Sequence, residues 1–324
     1  MPHLSLRLSD LERFRANLER LVGATPAKLG IAVSGGPDSL ALLLLACAAF
    51  PAGVEAATVD HGLRAESAGE ADLVAVICDR IGCPHSILPV RVEPGGEGIQ
   101  GEARRARYAA LEDWADRCGI GLVATAHHAD DQAETILMRL QRGSGLSGLA
   151  GIRSARPLGS ALLIRPLLDW TRDELSEIVR AARVEAADDP SNRDVRFDRV
   201  AMRNFLAENP QFDPRRLARS ASSLAEANEA LDWAAGQLFD DRVRRDGEAL
   251  ILDPAALPPE LARRLLLRLL AETVPQSTSP RGEEVQRLAR KLQSGATLTL
   301  AGVKCIGGTF WRFETEAPRR AKRP

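Results

Sequence analysis

The sequence lacks the features of a membrane-embedded or exported protein. Its longest uninterrupted apolar run, Leu40 to Phe50, is shorter than the roughly 20 residues that a membrane-spanning helix needs. The amino-terminal segment alternates leucine with charged residues and contains no apolar signal core, so we expect no export. The five cysteines are scattered and none forms a Cys-x-x-Cys pair, which argues against a disulfide framework and a cysteine-based metal site. We therefore expect a cytoplasmic protein without a membrane partner.

Lysine and aromatic residues are also scarce. Of the 43 basic residues, only Lys28, Lys291, Lys304 and Lys322 are lysines. The arginine excess has two interpretations: a coding bias, or a need for guanidinium groups, which bind phosphate and stack on bases. The net charge of −1 does not indicate a nucleic-acid partner. With 4% aromatic residues, a nucleic-acid site could not rely on a dense aromatic platform.

Short apolar runs alternate with helical patterns in the first two thirds of the chain. The strand-like runs are residues 29–33, 54–59, 87–92, 122–126 and 161–164, and the helical stretches are residues 38–50, 66–81, 102–117, 130–141 and 195–207. This alternation predicts an α/β fold with a doubly wound parallel sheet, covered by helices on both faces. In the second helical stretch, the side chains expected on the buried face are Leu73, Val76, Ile77 and Ile81.

Glycine and proline mark the breaks in this pattern. The glycine-rich residues 142–153 predict a loop, and Thr171 with Glu174 predicts a capping box at the start of a helix. Asn-Pro and Asp-Pro pairs within residues 208–214 predict a domain boundary, with one domain at 1–208 and a smaller one at 209–324. The smaller domain is predicted to be mainly helical, with helices around 215–238 and 259–272 and short strands within 297–313.

The most specific local pattern is a glycine loop between the first strand and its helix. It reads Ser34, Gly35, Gly36, Pro37, Asp38 and Ser39. Backbone N–H groups and the helix dipole form an anion site at such a turn. The loop lacks the Gly-Lys-Ser/Thr of a Walker motif and the GxGxxG dinucleotide fingerprint. It resembles the pyrophosphate loop of the N-type ATP pyrophosphatases, which cleave ATP between its α- and β-phosphates. The alternative is a plain turn that needs glycine for steric reasons.

A second set of polar residues follows the second and fourth strands. Asp60 and His61 end the second strand and His127 ends the fourth, at the edge of a doubly wound sheet where ligands bind. On the next helix, Asp131 and Glu134 are three residues apart and share a face. Two such carboxylates predict a site for Mg²⁺ or for a cationic substrate. There are two alternatives. Asp130 is an acidic residue at a helix amino terminus that only interacts favourably with the helix dipole, or the histidine pair binds a metal.

An ordered series of short motifs resembles one enzyme family. The motifs are VDHGLR at 59–64, EARRARY at 102–108, HHADDQAET at 127–135, RGSG at 142–145, RPLL at 165–168, DDPSN at 188–192 and Arg203-Asn204. Their order is similar to that of the tRNA(Ile)-lysidine synthetases and covers about residues 29–206. The resemblance implies a fold like the adenine nucleotide alpha hydrolases. It also implies an ATP-dependent ligase that attaches L-lysine to the wobble cytidine of tRNA(Ile) with a CAU anticodon, changing codon specificity from AUG to AUA.

The resemblance also implies roles for individual residues. ATP would be bound by the loop from Ser34 to Ser39 and by Asp60, His61 and His127, and Asp38 would hold Mg²⁺. Asp131 and Glu134 would bind lysine and, with Asp38, form the catalytic set, while Arg107 and Arg203 would contact substrate. Residues from about 215 onward resemble an accessory domain that holds tRNA. A homodimer is an open alternative to a monomer.

Three other functions remain open on the sequence alone. A pyrophosphatase-loop enzyme that thiolates cytidine would need clustered cysteines. An amidotransferase-linked synthetase would need an amino-terminal cysteine nucleophile or a glutaminase domain, and neither is evident. A tRNA-binding protein with a vestigial loop is disfavoured by the intact Asp38, Asp131 and Glu134. Arg104, Arg105 and Arg107 either face RNA or form a solvated helix face.

Overall fold

The protein alternates strands and helices in its first part and adds a second small sheet later. A computed structural model describes residues 6–24, 26–62, 66–92, 98–187, 198–275 and 280–316. The helices of the first part are α1 (Leu8–Val22), α2 (Pro37–Ala49), α3 (Glu66–Ile81), α4 (Gly98–Cys118), α5 (Ala129–Gln141), α6 (Leu146–Leu149), α7 (Arg172–Ala181) and α8 (Asp198–Glu208). Its strands are β1 (Leu29–Ala32), β2 (Val54–Asp60), β3 (His85–Pro89), β4 (Leu122–Ala124), β5 (Ala155–Leu158) and β6 (Ala161–Ile164).

These six strands form one sheet in the order β3-β2-β1-β4-β6-β5. All neighbours pair in parallel except β5, which runs antiparallel to β6 at the edge. The chain moves outward from β1 to β3 on one side and then places β4 on the other side of β1. The predicted parallel sheet is therefore confirmed, and its strand order reverses between β1 and β4. Strand β5 was not predicted, because its sequence Ala-Arg-Pro-Leu carries a proline and a charge that suit only an edge strand.

Helices cover both faces of this sheet with separate cores. One core joins α1, α2 and α7 to one face and includes Phe14, Leu43 and Leu175. The other packs α4 against the opposite face through Leu111 and Trp114. Helix α2 is apolar on nearly every side because it lies wholly within the first core. This two-sided burial is the doubly wound arrangement that the alternation predicted.

Two local predictions need correction. Val76 was expected on the buried face of α3, but 67% of it is exposed, while Val74 and Cys78 are buried beside Ile77. The apolar positions of α3 fit two overlapping faces, and packing against the sheet selects the one through Val74. The glycine-rich residues 142–153 are not entirely a loop, since they contain α6.

Side chains of α5 hold this glycine-rich segment in place. The Gln132 side chain donates to the Ile152 carbonyl (2.9 Å) and accepts from the Ile152 N–H (2.7 Å). Arg139 donates to the Gly151 carbonyl at 2.9 Å. Gly151 has φ +66°, and a Cβ there would lie 2.2 Å from Gln132 Oε1, so only glycine fits the position. The capping box of Thr171 and Glu174 is confirmed at the start of α7.

The last part of the chain forms its own sheet and core. Its elements are the helices α9 (Pro214–Arg242), α10 (Pro259–Thr273) and α11 (Gly282–Gln293) and the strands β7 (Val243–Asp246), β8 (Ala249–Leu252), β9 (Thr297–Leu300), β10 (Val303–Ile306) and β11 (Trp311–Thr315). The strands pair antiparallel in the order β7-β8-β11-β10-β9. Their core joins α10 and α11 through residues such as Leu266, Leu288 and Phe313. Helix α11 was not predicted.

The two compact units divide at a different residue from the predicted boundary. Contacts separate residues 1–225 from 226–324, so the division lies within α9. The predicted helix break is present between Glu208 and Pro214, but the first turns of α9 still belong to the first unit, where Arg215 pairs with Glu174 at 2.8 Å. The division into domains at 208 and 209 stays a prediction.

Other predictions fall wholly or partly outside the described residues. They are the DDPSN segment at 188–192, the first residues of the helix expected at 195–207, and the basic carboxyl terminus. Among the helices that the structure describes, none has the length and hydropathy needed to cross a membrane.

Close packing at Gly30 offers a test of the fold. A Cβ at Gly30 would lie 2.9 Å from two ring atoms of Trp114 and 3.0 Å from Ile120. We expect Gly30→Ala to lower the free energy of unfolding by about 1–3 kcal/mol, since overpacking forces side chains from their rotamers. Gly121→Ala is the matched control, because its Cβ would meet no atom within 4 Å. Denaturant unfolding measures both, and equal stability of the two variants would contradict the packing described.

Candidate functional site

The predicted site residues lie at the carboxyl ends of adjacent strands. The loop from Ser34 to Ser39 follows β1. Asp60 ends β2 and His61 comes directly after it, and His127 and His128 follow β4. The strand order reverses between β1 and β4, and open α/β sheets bind their ligands in the crevice outside the strand ends at such a reversal. The structure therefore brings the two sets of predicted residues to one place.

Hydrogen bonds between two serines shape the glycine loop. Ser39 Oγ accepts from the Ser34 N–H (3.1 Å) and from Ser34 Oγ (3.2 Å), and it donates to the Gly36 carbonyl (2.9 Å). Gly35 has φ +85° and its carbonyl accepts from the Ala187 N–H. Helix α2 then begins at Pro37, which has no N–H. The Leu40 N–H donates to the Gly36 carbonyl at 3.1 Å, whereas the N–H groups of Asp38 and Ser39 have no acceptor within the helix. The loop thus presents a helix amino terminus of the kind that binds phosphate.

A buried histidine that sequence reasoning left out lies at the centre of the site. His128 is 1% exposed. Its Nε2 lies 3.4 Å from Asp38 Oδ2 and 3.6 Å from Asp131 Oδ2, and its Nδ1 lies 3.4 Å from Asp130 Oδ2. Asp131 Oδ2 also accepts from the His128 N–H at 3.1 Å. One imidazole ring therefore joins the glycine loop to the first turn of α5.

The carboxylates keep this ring protonated. Burial alone would lower the pKa of His128, but its contacts with Asp130 and Asp38 and the charge of Asp131 raise the pKa to about 10. Burial would likewise raise the pKa of Asp130 and Asp131, yet the charged ring holds both below their ordinary value. At neutral pH the group is a cation in contact with three carboxylates, and its single charge offsets part of theirs.

The neighbouring His127 has the opposite character. Burial lowers the pKa of His127 to about 3, and the charges of Arg165, Arg107 and Arg199 act in the same direction, against the effect of Asp131. Thr125 Oγ1 lies 3.1 Å from its Nδ1. His127 is therefore an uncharged, polar ring at the edge of the crevice.

Glu134 occupies the other end of the α5 face and is 1% exposed. Its Oε1 lies 3.2 Å from Arg203 Nε, as expected for residues predicted to share a site, and 3.5 Å from Arg172 Nη2. Its Oε2 is buried and has no hydrogen-bond partner. Arg172 was not predicted, because it belongs to none of the motifs that indicated the site. The Arg172 N–H also donates to Asp130 Oδ2 at 2.9 Å, so the first residue of α7 contacts both Asp130 and Glu134.

Asp60, His61 and Arg107 form the side of the crevice nearest β2. Asp60 Oδ1 accepts from the Gly62 N–H at 3.0 Å. Burial and then the charge of Arg107 lower the pKa of His61, against the effect of Asp60. Burial also lowers the pKa of Arg107. Because the Arg107 charge acts on both His61 and His127, these predicted residues share one electrostatic environment.

Asp38 fits the predicted role of a magnesium ligand. Its Oδ1 is buried and has no hydrogen-bond partner, while its Oδ2 faces His128. Within the described ranges, no group of three or more His, Cys, Asp or Glu residues forms a metal site of its own. Mg²⁺ commonly binds one or two carboxylates together with substrate phosphates, and a single open carboxylate beside a phosphate loop matches that pattern. The predicted alternative of a histidine metal site has no support here.

The two adjacent histidines should titrate far apart. We expect ring NMR signals of His127 to show a neutral imidazole above about pH 4, and those of His128 a charged one below about pH 9, with assignments from His127→Gln and His128→Gln. Since the folded-state pKa of His128 lies above its ordinary 6.5, its stabilisation is complete below pH 6.5 and is lost as pH rises toward 10. Two rings that both titrate near pH 6.5 would refute this arrangement.

Comparisons with known proteins agree with the fold and the motifs. The PP-loop domain family matches residues 10–209. The tRNA(Ile)-lysidine synthase of Zymomonas mobilis is 46% identical over 98% of this chain and 97% of its own length. The corresponding enzyme of Novosphingobium aromaticivorans is 45% identical over 96% and 95%.

A solved structure supports the fold class. The U34-tRNA thiolase NcsA from Methanococcus maripaludis has a TM-score of 0.54 at 18% identity, covering 67% of this chain and 79% of that one. This is a likeness of fold alone, and it agrees with the predicted alpha hydrolase-like sheet. Together with the family match and the high identity of the relatives, the resemblance inferred from the motifs is confirmed: the chain belongs to the PP-loop family and, within it, to the tRNA(Ile)-lysidine synthases.

Proposed function

We propose that the protein joins the side-chain amine of L-lysine to C2 of the wobble cytidine in tRNA(Ile) with a CAU anticodon, using ATP. One observation carries the proposal: the buried Glu134 Oε2 lacks a partner on the same helix face as Asp131, which His128 joins to the phosphate loop. A carboxylate oxygen buried without a partner costs free energy, and an ammonium group would satisfy it. A cationic amine and a nucleotide phosphate are thus accommodated in one crevice.

The reaction has two steps. In the first, the C2 carbonyl oxygen of cytidine attacks the α-phosphate of ATP, the bond to the β-phosphate breaks, and pyrophosphate leaves. The first-turn N–H groups of α2 and the loop at Gly35 and Gly36 bind the departing pyrophosphate. Asp38 Oδ1 would hold Mg²⁺, which offsets the phosphate charge when bound. Asp60, His61 and His127 would contact the nucleoside.

In the second step the lysine amine attacks C2, the bond from C2 to oxygen breaks, and AMP leaves with that oxygen. The ammonium group first loses one proton to become a nucleophilic amine, and a second proton leaves the nitrogen as the bond forms; both pass to solvent. Asp131 and Glu134 orient the lysine, Arg203 and Arg172 fix Glu134, and Arg107 contacts the substrate. Such positioning can supply a large part of a rate enhancement.

Cys47, Cys78 and Cys83 lie together, but their position opposes the thiolating alternative. Cys83 Sγ contacts the Val54 carbonyl at 3.7 Å, at the start of β2, whereas Asp60 ends the same strand. A seven-residue strand at about 3.3 Å per residue spans roughly 20 Å. Cys83 therefore lies at the opposite edge of the sheet from the crevice.

Two broader roles belong to the same proposal. The unit at residues 226–324, together with α9, would hold the tRNA body, as predicted for residues 209–324. The reaction would take place in the cytoplasm, where its substrates are present. A homodimer stays a prediction.

The products of the reaction test this function directly. With ATP, Mg²⁺, lysine and a CAU-anticodon tRNA(Ile), we expect AMP, pyrophosphate and a lysidine-containing tRNA in equal amounts, measured by chromatography and by mass spectrometry of the digested tRNA. Elongator tRNA(Met), which shares the anticodon, is the control. Formation of ADP in place of AMP would exclude adenylation.

Glu134, whose buried Oε2 has no hydrogen-bond partner, gives a second test. Glu134→Gln removes the charge with little change of shape, and we expect the KM for lysine to rise about tenfold to a hundredfold, as for the loss of a charge-assisted hydrogen bond. The KM for ATP should change far less. Glu177→Gln is the matched control, since the Glu177 side chain is 46% exposed and, within the described residues, its ion pair is with Arg180 on its own helix. An unchanged dependence on lysine would remove Glu134 from the lysine site.

A further inference from the structure

The only tyrosine of the chain lies among arginine side chains. The Arg156 guanidinium is 4.0 Å from the Tyr108 ring centroid and that of Arg104 is 4.9 Å from it. The charges of Arg107 and Arg165 also act on the phenol. We call Tyr108 with these arginines the Tyr108 cluster. It combines α4, the edge strand β5 and the residue that follows β6, so the fold assembles it from three elements.

The Tyr108 cluster has no acidic counterpart among the described residues. No ion pair there joins Arg104, Arg107, Arg156 or Arg165 to a carboxylate, whereas the adjacent Arg105 pairs with Glu102. Burial and the charges of Arg156 and Arg104 lower the pKa of Arg165, against the effect of Tyr108. Like charges gathered at a partly buried place repel one another, which is costly unless an anion joins them.

Arg165 carries an independent sign of a missing ligand. It is 4% exposed, its Nη1 donates to the Arg153 carbonyl, and its Nε is buried without a hydrogen-bond partner. Buried guanidinium N–H groups normally find acceptors. A donor without a partner, within a group of cations that pair with no carboxylate of the described residues, points to an anionic oxygen as its ligand.

The position of the cluster separates it from the glycine loop. Arg165 follows β6, which is two strands from β1 in the sheet, a distance of about 10 Å at the usual strand spacing. The charges of Arg165 and Arg107 reach His127 at the crevice edge. An anion here would lie beside the reacting centre, apart from the pyrophosphate held after β1.

We propose that the Tyr108 cluster binds a backbone phosphate of the RNA substrate, next to the nucleotide that enters the crevice. Guanidinium groups bind phosphate oxygens with two parallel hydrogen bonds, and arginine suits this better than lysine. A phosphodiester flanking the reacting base must lie near the crevice, and it carries the charge that the cluster lacks. This inference rests on the proposed function, because it assumes an RNA substrate.

Binding measurements with two variants test the proposal. The probe is a CAU anticodon stem-loop RNA, titrated against wild type, Arg104→Met and Arg156→Met over a range of salt concentrations. We expect each variant to bind the RNA about tenfold more weakly and with a salt slope smaller by about 1. Arg117→Met is the matched control, since Arg117 is an exposed residue at the other end of α4 and should leave RNA affinity unchanged.

The NMR signal of the single tyrosine gives a second measurement, which would not respond to RNA if the cluster were only structural. With 13C-labelled tyrosine the protein gives one ring signal, and we expect RNA to shift it while ATP with Mg²⁺ leaves it in place. If the variants weaken ATP binding but not RNA binding, or if inorganic phosphate shifts the signal and RNA does not, the cluster serves a small anion and the proposal is overturned. Absence of RNA binding by wild type overturns it as well.

The outcomes also separate this proposal from the proposed function. If the wild type binds RNA at Tyr108 but forms no lysidine, the phosphate site stands and the proposed reaction fails. If lysidine forms normally and neither variant changes RNA affinity, salt slope or the tyrosine signal, the reaction stands and the phosphate site is refuted.

Discussion

The contact of one buried imidazolium with its surrounding carboxylates is the constraint on which the site depends. His128 follows β4 but reaches Asp38 on α2, so the elements on either side of the strand reversal are joined by charge. Asp130 continues the connection to α7 through the Arg172 N–H, and Arg172 contacts Glu134. Without the cation, acidic groups gathered in one buried place would repel one another and take up protons.

Acidic and basic side chains are concentrated on different sides of the crevice. Acidic groups and His128 lie along α2 and α5, whereas the Tyr108 cluster lies toward β5 and β6. His127 stands at the border, uncharged because arginines and burial act together on it. The net charge of −1 gives no sign of this local separation. Overall charge is a poor guide to partners when separate regions of a protein surface differ in the sign of their charge.

The sequence predicted the architecture well because alternation of strands and helices is a local property. It placed Ser34, Asp60 and His127 at one edge of the sheet, since strand ends follow from the hydrophobic runs. It failed where tertiary contacts decide. Val76 lies on a face as apolar in sequence as the one that is buried, and only packing distinguishes them. The residues that contact His128 and Tyr108 come from elements far apart in the chain, and the spacing of residues in the sequence does not predict such tertiary contacts.

The two hydrogen bonds between the Gln132 side chain and the Ile152 backbone affect the dynamics of the glycine-rich segment. The amide of Gln132 satisfies both the N–H and the carbonyl of Ile152, much as a neighbouring strand would. The Ile152 amide hydrogen can therefore exchange with solvent only when this paired contact opens, although the residue lies outside regular secondary structure. The glycine-rich segment, which composition alone would make the loosest part of the unit, thus shares the local stability of helix α5.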